Sequence, residues 1–368
     1  MKRRIVRGSV LLVLVGLVSG LSFRALCAGE AAMSAGIELS SGQSIQAAID
    51  GAAPGSVISL GPGVFRGSLV IDRSVTLRGA DEGSVIEGSR FGAAVRIIGD
   101  TTRVLLEQLT VTGGQAFNGH GIQTEDAATV EMIGVTSAGN NWCGIWATDR
   151  STLVLTDCRL IENRTFGLYT WDFAHVELRG CTISGNETHG IYALHVSEIT
   201  LIDSRIVDNW SGLWAWDGVR LHATNTEIGG AETHGVVAQN AALIALDWCT
   251  VTSNGGCGLW FCESSRGVLS DCLIASNGED GVLIEQDGIV EFYRCVVRGN
   301  EAAGIRTGAP ECVGGFDPAN PYKGWVKGIE NTVPGPDRRD GNRQVALCPA
   351  YPGSLWPPGF LAVEAESE

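Results

Sequence analysis

A glycine recurs along the middle of the chain every 23 residues, with one interval of 22 between Gly190 and Gly212. The series is Gly121, Gly144, Gly167, Gly190, Gly212, Gly235, Gly258, Gly281 and Gly304. A fixed period in this range is typical of a solenoid, in which each repeat packs against its two neighbours. Position within the repeat therefore determines which residues form the core and which reach the surface.

Each repeat contains three short runs in which apolar residues alternate with other residues. In the repeat that begins at Gly144, these runs contain Ile145, then Leu153 and Leu155, then Cys158 and Leu160. Alternation with a one-residue spacer is the periodicity of a strand. We therefore predict an all-β fold, a single-stranded parallel β-helix with three short strands per rung, a rung being one turn of the coil.

Two further residue types recur at a fixed distance after the glycine. We call each such set of equivalent positions in successive repeats a column. An asparagine lies nineteen residues after the glycine at Asn140, Asn163, Asn186, Asn209, Asn254, Asn277 and Asn300. A cysteine lies fourteen residues after it at Cys158, Cys181, Cys249, Cys272 and Cys295. Inward amides can hydrogen-bond to one another along a stack, and buried thiols behave as small apolar groups. We assign both columns to the interior.

The segment before the repeats contains SIQAAI at residues 44–49 and PGSVISL at residues 54–60. Together with the 23-residue repeat, it resembles the pectin-lyase-like superfamily, including its NosD-like and carbohydrate-processing groups. Over residues 37–310 the resemblance implies a right-handed parallel β-helix, an N-terminal capping helix and substrates that lie along one strand face. Superfolds of this kind host unrelated activities, so the resemblance alone assigns none.

The N-terminal residues 1–28 match a secretory signal peptide. Lys2, Arg3, Arg4 and Arg7 precede an apolar run from Val10 to about Phe23. We expect cleavage and a mature protein that is secreted, periplasmic or on the cell surface, and that does not contact a membrane. An uncleaved anchor is the alternative, for which the apolar run is short.

Residues 311–368 differ from the repeats, and nine of the eleven prolines follow residue 309. We predict an irregular cap that covers the open end of the coil, with a last strand within Trp325–Val333. Cys312 and Cys348 could form a disulfide there, since export permits one, but the sequence leaves their pairing open.

The chain is acidic, with a formal net charge of −15. Removal of residues 1–28 would also remove five cationic side chains and bring the net charge to −20. A body with this charge repels phosphate backbones, so we exclude nucleic acid as a partner.

Aromatic side chains concentrate at positions predicted to face outward from the strand that follows the glycine. They are Trp146, Tyr169, Tyr192, Trp214 and Trp260 two residues after the glycine, and Trp171 and Trp216 four residues after it. Carboxylates and histidines flank these columns, and we include His189 and Asp217 in the predicted site. Rings bracketed by carboxylates suit a polysaccharide, while a protein partner on the same face is the alternative.

Four residues are candidates for catalysis: Tyr169, Asp149, Asp172 and His195. Carboxylates on adjacent rungs are close enough to perturb each other's titration and to act as acid and base on a sugar. Tyr169, Asp172 and His175 resemble the Tyr/Asp/His cluster of alginate epimerases, with the histidine one residue from the expected spacing. Aspartate at a strand end also caps turns, so whether the chain is a lyase, an epimerase, a hydrolase or no enzyme stays open.

No cofactor is required by these residues, although Ca²⁺ is compatible with the carboxylate row. The resemblance to NosD-like proteins raises copper or zinc handling as a further alternative. His234, Cys257 and Asp280 lie on neighbouring rungs and offer ligand types that suit these metals. A non-catalytic envelope protein remains the other class of function.

Overall fold

The computed structural model describes residues 36–80, 83–89, 92–114 and 119–307, and the backbone of 325–329. Successive strands enter three sheets in turn, and every strand runs parallel to the strand one rung away. The chain thus forms the predicted three-sided parallel β-helix.

Sheet A contains Ile37–Leu39, Ser56–Leu60, Val75–Gly79, Arg103–Glu107, Thr129–Ile133, Thr152–Thr156, His175–Arg179, Glu198–Ile202, Arg220–Thr224, Leu243–Asp247, Arg266–Ser270, Ile289–Tyr293 and Trp325–Ile329. Sheet B contains Gly63–Arg66, Ser84–Glu87, Thr110–Thr112, Thr136–Ala138, Arg159–Ile161, Thr182–Ser184, Arg205–Val207, Glu227–Gly229, Thr250–Thr252, Leu273–Ala275 and Val296–Arg298. Sheet C contains Leu69–Ile71, Val95–Ile97, Ile122–Thr124, Ile145–Ala147, Leu168–Thr170, His189–Ala193, Ser211–Ala215, Val236–Ala238, Leu259–Phe261, Val282–Ile284 and Ile305–Thr307.

The helix Ile45–Gly51 precedes the first complete rung, as the resemblance implied. Its N-cap is Ser44, whose hydroxyl accepts a hydrogen bond from the backbone N–H of Ala47 at 3.1 Å. Ile45 and Ile49 are buried against the coil. The apolar face of this helix therefore covers the otherwise open N-terminal end of the core.

The register places equivalent residues of neighbouring repeats directly opposite each other. In sheet C, Ile145 pairs with Leu168 and Leu168 with Ile191, and all three side chains are fully buried. The cysteine column is also buried, and Cys181 donates its S–H to the carbonyl of Leu155 at 3.5 Å. All eight cysteines within the described residues are free thiols. The predicted core assignment is confirmed.

The asparagines form a hydrogen-bonded ladder inside the turn between sheets B and C. Asn163 donates from Nδ2 to Oδ1 of Asn186 at 2.9 Å, and Asn186 donates in the same way to Asn209 at 2.8 Å. Ala231 interrupts the ladder, which resumes from Asn254. Each amide thus satisfies a buried polar group of the neighbouring rung.

The recurring glycine follows from this tight packing. A Cβ atom added to Gly190 would lie 2.6 Å from Cγ2 of Ile206 and 2.7 Å from the carbonyl oxygen of Gly212. Neither atom can move away, because Ile206 is in the core and Gly212 is in the next rung. The sequence period is therefore a steric requirement for stacking adjacent rungs.

Several predictions concern the two ends of the chain. The signal peptide, the Cys312–Cys348 bridge and most of the predicted C-terminal cap lie outside the described residues. Trp325–Ile329 does form a strand and pairs with Ile289–Tyr293 in sheet A. No helix in the described part of the chain is long and apolar enough to cross a membrane.

The ladder predicts a large effect of Asn186→Ala on stability. This change leaves the backbone N–H and the amide of Asn163 without their acceptor, and unsatisfied buried groups cost roughly 1–3 kcal/mol each. We expect the free energy of unfolding to fall by about 3 kcal/mol in urea denaturation. Asn141→Ala is the matched control, because Asn141 directly follows Asn140 of the ladder but is not part of it. An equal fall in the free energy of unfolding in this control would contradict the structural role of the ladder.

Candidate functional site

The predicted aromatic residues lie along the outer surface of sheet C and the turn that follows it. Trp146, Tyr169, Tyr192 and Trp214 occupy successive rungs in direct register. Their side chains are partly exposed, whereas the alternate residues of the same strands are buried. The structure therefore places these rings outward on a single side of the coil.

The rings stack on one another along the axis. The centroids of Trp146 and Tyr169 are 5.9 Å apart with planes inclined by 19°, and those of Tyr169 and Tyr192 are 5.8 Å apart with planes inclined by 18°. Rungs repeat at about 4.8 Å, so rings in one column must stack nearly parallel. The three rings from Trp146 to Tyr192 therefore form one stacked row on the outer surface of sheet C.

The column one residue before the glycine, which contains His189, is partly covered by rings. His120 in this column is 2% exposed and packs against Trp146 with ring centroids 4.7 Å apart, and Cys143 is fully buried. His189 is half-buried and packs against Phe166 at 5.6 Å and Trp214 at 5.2 Å. Burial lowers the pKa of both His120 and His189 to about 4. These imidazoles are neutral at neutral pH and belong to the ring stack.

A recess of about 420 Å³ opens at one end of the stacked rings. Its lining residues are Gln123, Glu125, Trp146, Thr148, Asp149, Tyr169, Trp171 and Asp172. Thr148 occupies the same column as Glu125 and Trp171, and its small side chain leaves space between them. The volume lies within the range of roughly 300–1,000 Å³ typical of small-molecule sites.

Five of the predicted site residues thus line a single recess, whereas the others lie elsewhere. The seven residues absent from its lining are Tyr192, Trp214, Trp216, Trp260, His189, His195 and Asp217. Trp214 donates from Nε1 to Gln239 at 2.9 Å, and Trp260 donates to Glu285 at 3.2 Å. These two rings are fixed to polar neighbours of the next rung.

His195 connects the recess to the following rung. Its Nδ1 lies 3.3 Å from a carboxylate oxygen of Asp172, and its Nε2 lies 3.8 Å from one of Asp217. Its ring stacks on Trp171 with centroids 4.0 Å apart. One face of Trp171 is therefore covered by His195, which leaves the opposite face on the side of Thr148 and the recess.

The backbone conformation explains why polar residues recur beside the recess. Asp149, Asp172 and His195 have φ values of 52°, 48° and 51°, and the residue after each also has positive φ. Asparagine and aspartate tolerate this left-handed conformation better than most residues. The turn alone can therefore account for the aspartate row, although it does not explain why Phe173 and Val196 are accepted there.

Tyr169 faces the recess as a protonated phenol. Burial raises the pKa of its hydroxyl well above the usual value near 10, and nearby Asp172 contributes to the same shift. The phenol can donate a hydrogen bond, but its raised pKa makes it a poor acid at neutral pH. Asp149 and Asp172 supply the acceptor groups of the recess.

Sequence reasoning missed the opposite wall of the recess. Glu125 is held by Arg96, whose Nε and Nη2 donate at 3.0 Å and 2.7 Å to its two carboxylate oxygens. Gln123 also donates to Glu125. Gln123 and Glu125 belong to the outward columns that contain the aromatic candidates, so their position in the repeat could have identified them.

The proposed metal ligands form a different group from the predicted one. His234 and Cys257 approach Glu279, whereas Asp280 accepts two hydrogen bonds from Arg306 at 3.0 Å and 2.7 Å. Nδ1 of His234 already accepts the backbone N–H of Cys257 at 3.0 Å. Ligation through Nδ1 would break this bond, and ligation through Nε2 would need its proton removed. The group fits a metal poorly.

Several enzymes whose solved structures have the same fold are named for different polysaccharides. The A-module of mannuronan C-5 epimerase AlgE6 from Azotobacter vinelandii is 17% identical, with a TM-score of 0.62 over 84% of this chain and 95% of that one. The periplasmic alginate epimerase AlgG is 12% identical, with a TM-score of 0.51 over 84% of this chain and 80% of that one. The catalytic domain of a GH87 α-1,3-glucanase is 10% identical, with a TM-score of 0.58 over 88% of this chain and 69% of that one.

At these identities the likeness shows the fold alone. No curated protein matches the sequence. The family model described as the right-handed beta helix region matches residues 80–228 and 220–309, which is more than half of the chain. The match agrees with the parallel sheets, the 23-residue register and the asparagine ladder described above. The chain therefore belongs to the right-handed β-helix family.

Proposed function

We propose that this protein binds a polysaccharide at the recess beside Trp171. The observation that carries the proposal is the recess itself, which combines an accessible face of Trp171 with the carboxylates of Asp149 and Asp172. Sugar rings pack their C–H faces on aromatic rings and donate hydroxyl hydrogens to carboxylates. The fold likeness to proteins that act on alginate and on α-1,3-glucan supports this substrate class.

One sugar residue would occupy the space above Thr148. Its apolar face would rest on Trp171, and its hydroxyl groups would reach Asp149 and Asp172, which lie on adjacent rungs. The polymer would extend along the axis past Tyr192 and Trp214, since neighbouring rungs follow at about 4.8 Å. The stacked column thus forms a wall of the binding groove, and Trp171 forms its stacking surface.

A reaction at this recess is favoured by the contact between Asp172 and His195. The imidazole can orient the carboxylate, and the phenol of Tyr169 can donate a hydrogen bond from the same wall. Two carboxylates near a bound sugar suit hydrolysis of a glycosidic bond, in which one acts as acid and the other as base. We propose Asp172, assisted by Asp149, as the reactive pair, with His195 as a positioning residue.

We also propose that the protein is exported after removal of residues 1–28, as its N-terminal charge and apolar run suggest.

A second candidate function is attachment to a protein partner. Phe173, Val196 and Trp216 are 54%, 42% and 42% exposed, although two of them occupy the strained turn. Exposed apolar residues beside the recess favour this candidate.

Binding through Trp171 predicts a strong effect of Trp171→Ala. We expect retention on the polysaccharide that binds the wild-type protein to weaken roughly 10- to 100-fold in affinity electrophoresis, as for a central aromatic contact. Trp214→Ala should weaken it less, because Trp214 lies outside the lining of the recess. Trp248→Ala is the matched control, since Trp248 is 62% exposed in the turn between sheets A and B. Equal retention of Trp171→Ala and Trp248→Ala would contradict the site.

Catalysis by Asp172 predicts that Asp172→Asn retains binding and loses turnover. Asparagine tolerates the left-handed backbone, so the turn should persist. We expect kcat to fall by about 10²-fold or more on the polymer that the wild-type protein processes. Asp203→Asn is the control, because Asp203 has a φ of 51° in the turn between sheets A and B. Wild-type inertness on a broad panel of polysaccharides would leave a binding protein only.

A further inference from the structure

We infer that the recess takes an uncharged sugar and discriminates against uronic acids. This inference rests on the proposed function, since it names the class of polysaccharide bound at that site. It separates this chain from the alginate epimerases that share its fold, whose named substrates are polyuronates. The charges and hydrogen-bonding groups of the lining favour a neutral ligand.

The lining carries negative charge without a free cation. Glu125, Asp149 and Asp172 line the recess, and none of the other described residues of the lining is basic. Asp149, Asp172 and His195 form a column in the turn after sheet C. In that column, Asp126 lies one rung before Asp149, and Asp217 lies one rung after His195. A uronate placed here would meet several carboxylates at short range, and the acidic body around them adds to the repulsion.

The nearest guanidinium groups already have partners. Arg96 forms two hydrogen bonds with Glu125, and these bonds are the main cause of the raised pKa of Arg96. Arg150 lies over the ring of Phe173, 5.6 Å from its centroid. Using Arg96 to bind a uronate would uncover the carboxylate of Glu125 beside the ligand. The exchange would gain one ion pair and lose another.

Hydrogen bonding leads to the same preference. A deprotonated carboxylate only accepts hydrogen bonds, so whichever of Asp149 and Asp172 is ionised requires donors from the ligand. The hydroxyl groups of a neutral sugar supply them. A uronate replaces one such hydroxyl with an acceptor-only group, which would meet only neutral donors in the lining, such as the phenol of Tyr169. A site built for uronates would instead present arginine or lysine, whose donors match a carboxylate.

The test compares polymers that differ only in charge. Alginate and polygalacturonate would each be paired with its carboxyl-reduced form, in which every uronate becomes the corresponding neutral sugar. Neutral glucans would be added, and the full mature chain would be run by affinity electrophoresis in EDTA at low ionic strength, where charge effects are largest. We expect neutral glucans or a carboxyl-reduced polymer to retain the protein at least tenfold more strongly than any native polyuronate does.

A charge variant supplies a readout that does not depend on overall binding strength. Glu125→Gln removes one carboxylate and frees Arg96, so the ratio of native to reduced polymer retention should rise about tenfold. Glu177→Gln is the control, because Glu177 also pairs with an arginine, Arg179, but lies on sheet A. The ratio should stay unchanged in this control. An unchanged ratio in Glu125→Gln would overturn the inference.

The remaining outcomes separate the inference from the function on which it rests. Tighter retention by native than by reduced polymer in EDTA would overturn neutral selectivity while supporting polysaccharide binding. Retention of native polymer only when Ca²⁺ is added would also overturn it, in favour of a cation that bridges uronate and carboxylates. Loss of retention by every polymer, charged or neutral, would instead contradict the proposed function itself.

Discussion

The parallel pairing of each strand with the strand one rung away controls every other feature of this protein. Because Trp146 pairs with Tyr169 and Tyr169 with Tyr192, a residue type that recurs every 23 positions becomes a column along the axis. The interior columns must be small or apolar to fit, and Gly190 shows that even a methyl group is excluded at one of them. The outer columns are free of this limit and can differ from rung to rung.

The fold was therefore predictable from the period, while the recess was not. Alternation and spacing identified the strands, the buried cysteines and the asparagine ladder, because each depends on register alone. The recess depends on how much space a side chain leaves, and Thr148 matters only because Glu125 and Trp171 flank it. The burial of His120 likewise results from the rings that cover it, which the alternation of a strand cannot indicate.

In the turn after sheet C, one row of residues serves the backbone conformation and also contains the proposed reactive groups. Left-handed conformations favour aspartate at these positions, so recurrence alone is no sign of catalysis. Glu263 and Gln286 occupy the same row with similar φ values, so a departure from aspartate is also no sign of catalysis. What distinguishes Asp172 is its surroundings, because it lines the recess and contacts His195.

Charge finally distinguishes this recess from a generic groove on a shared fold. Stacking on Trp171 would accept almost any pyranose, because the apolar face of a sugar differs little between neutral and acidic forms. In the proposed site, selectivity would then come from Glu125, Asp149 and Asp172, whose acceptor oxygens favour ligands rich in hydroxyl donors. Arg96 is already paired with Glu125, so binding of an acidic ligand by Arg96 would have to break that pair. On this proposal, polar specificity would reside in a few outward positions that the repeat leaves free to vary.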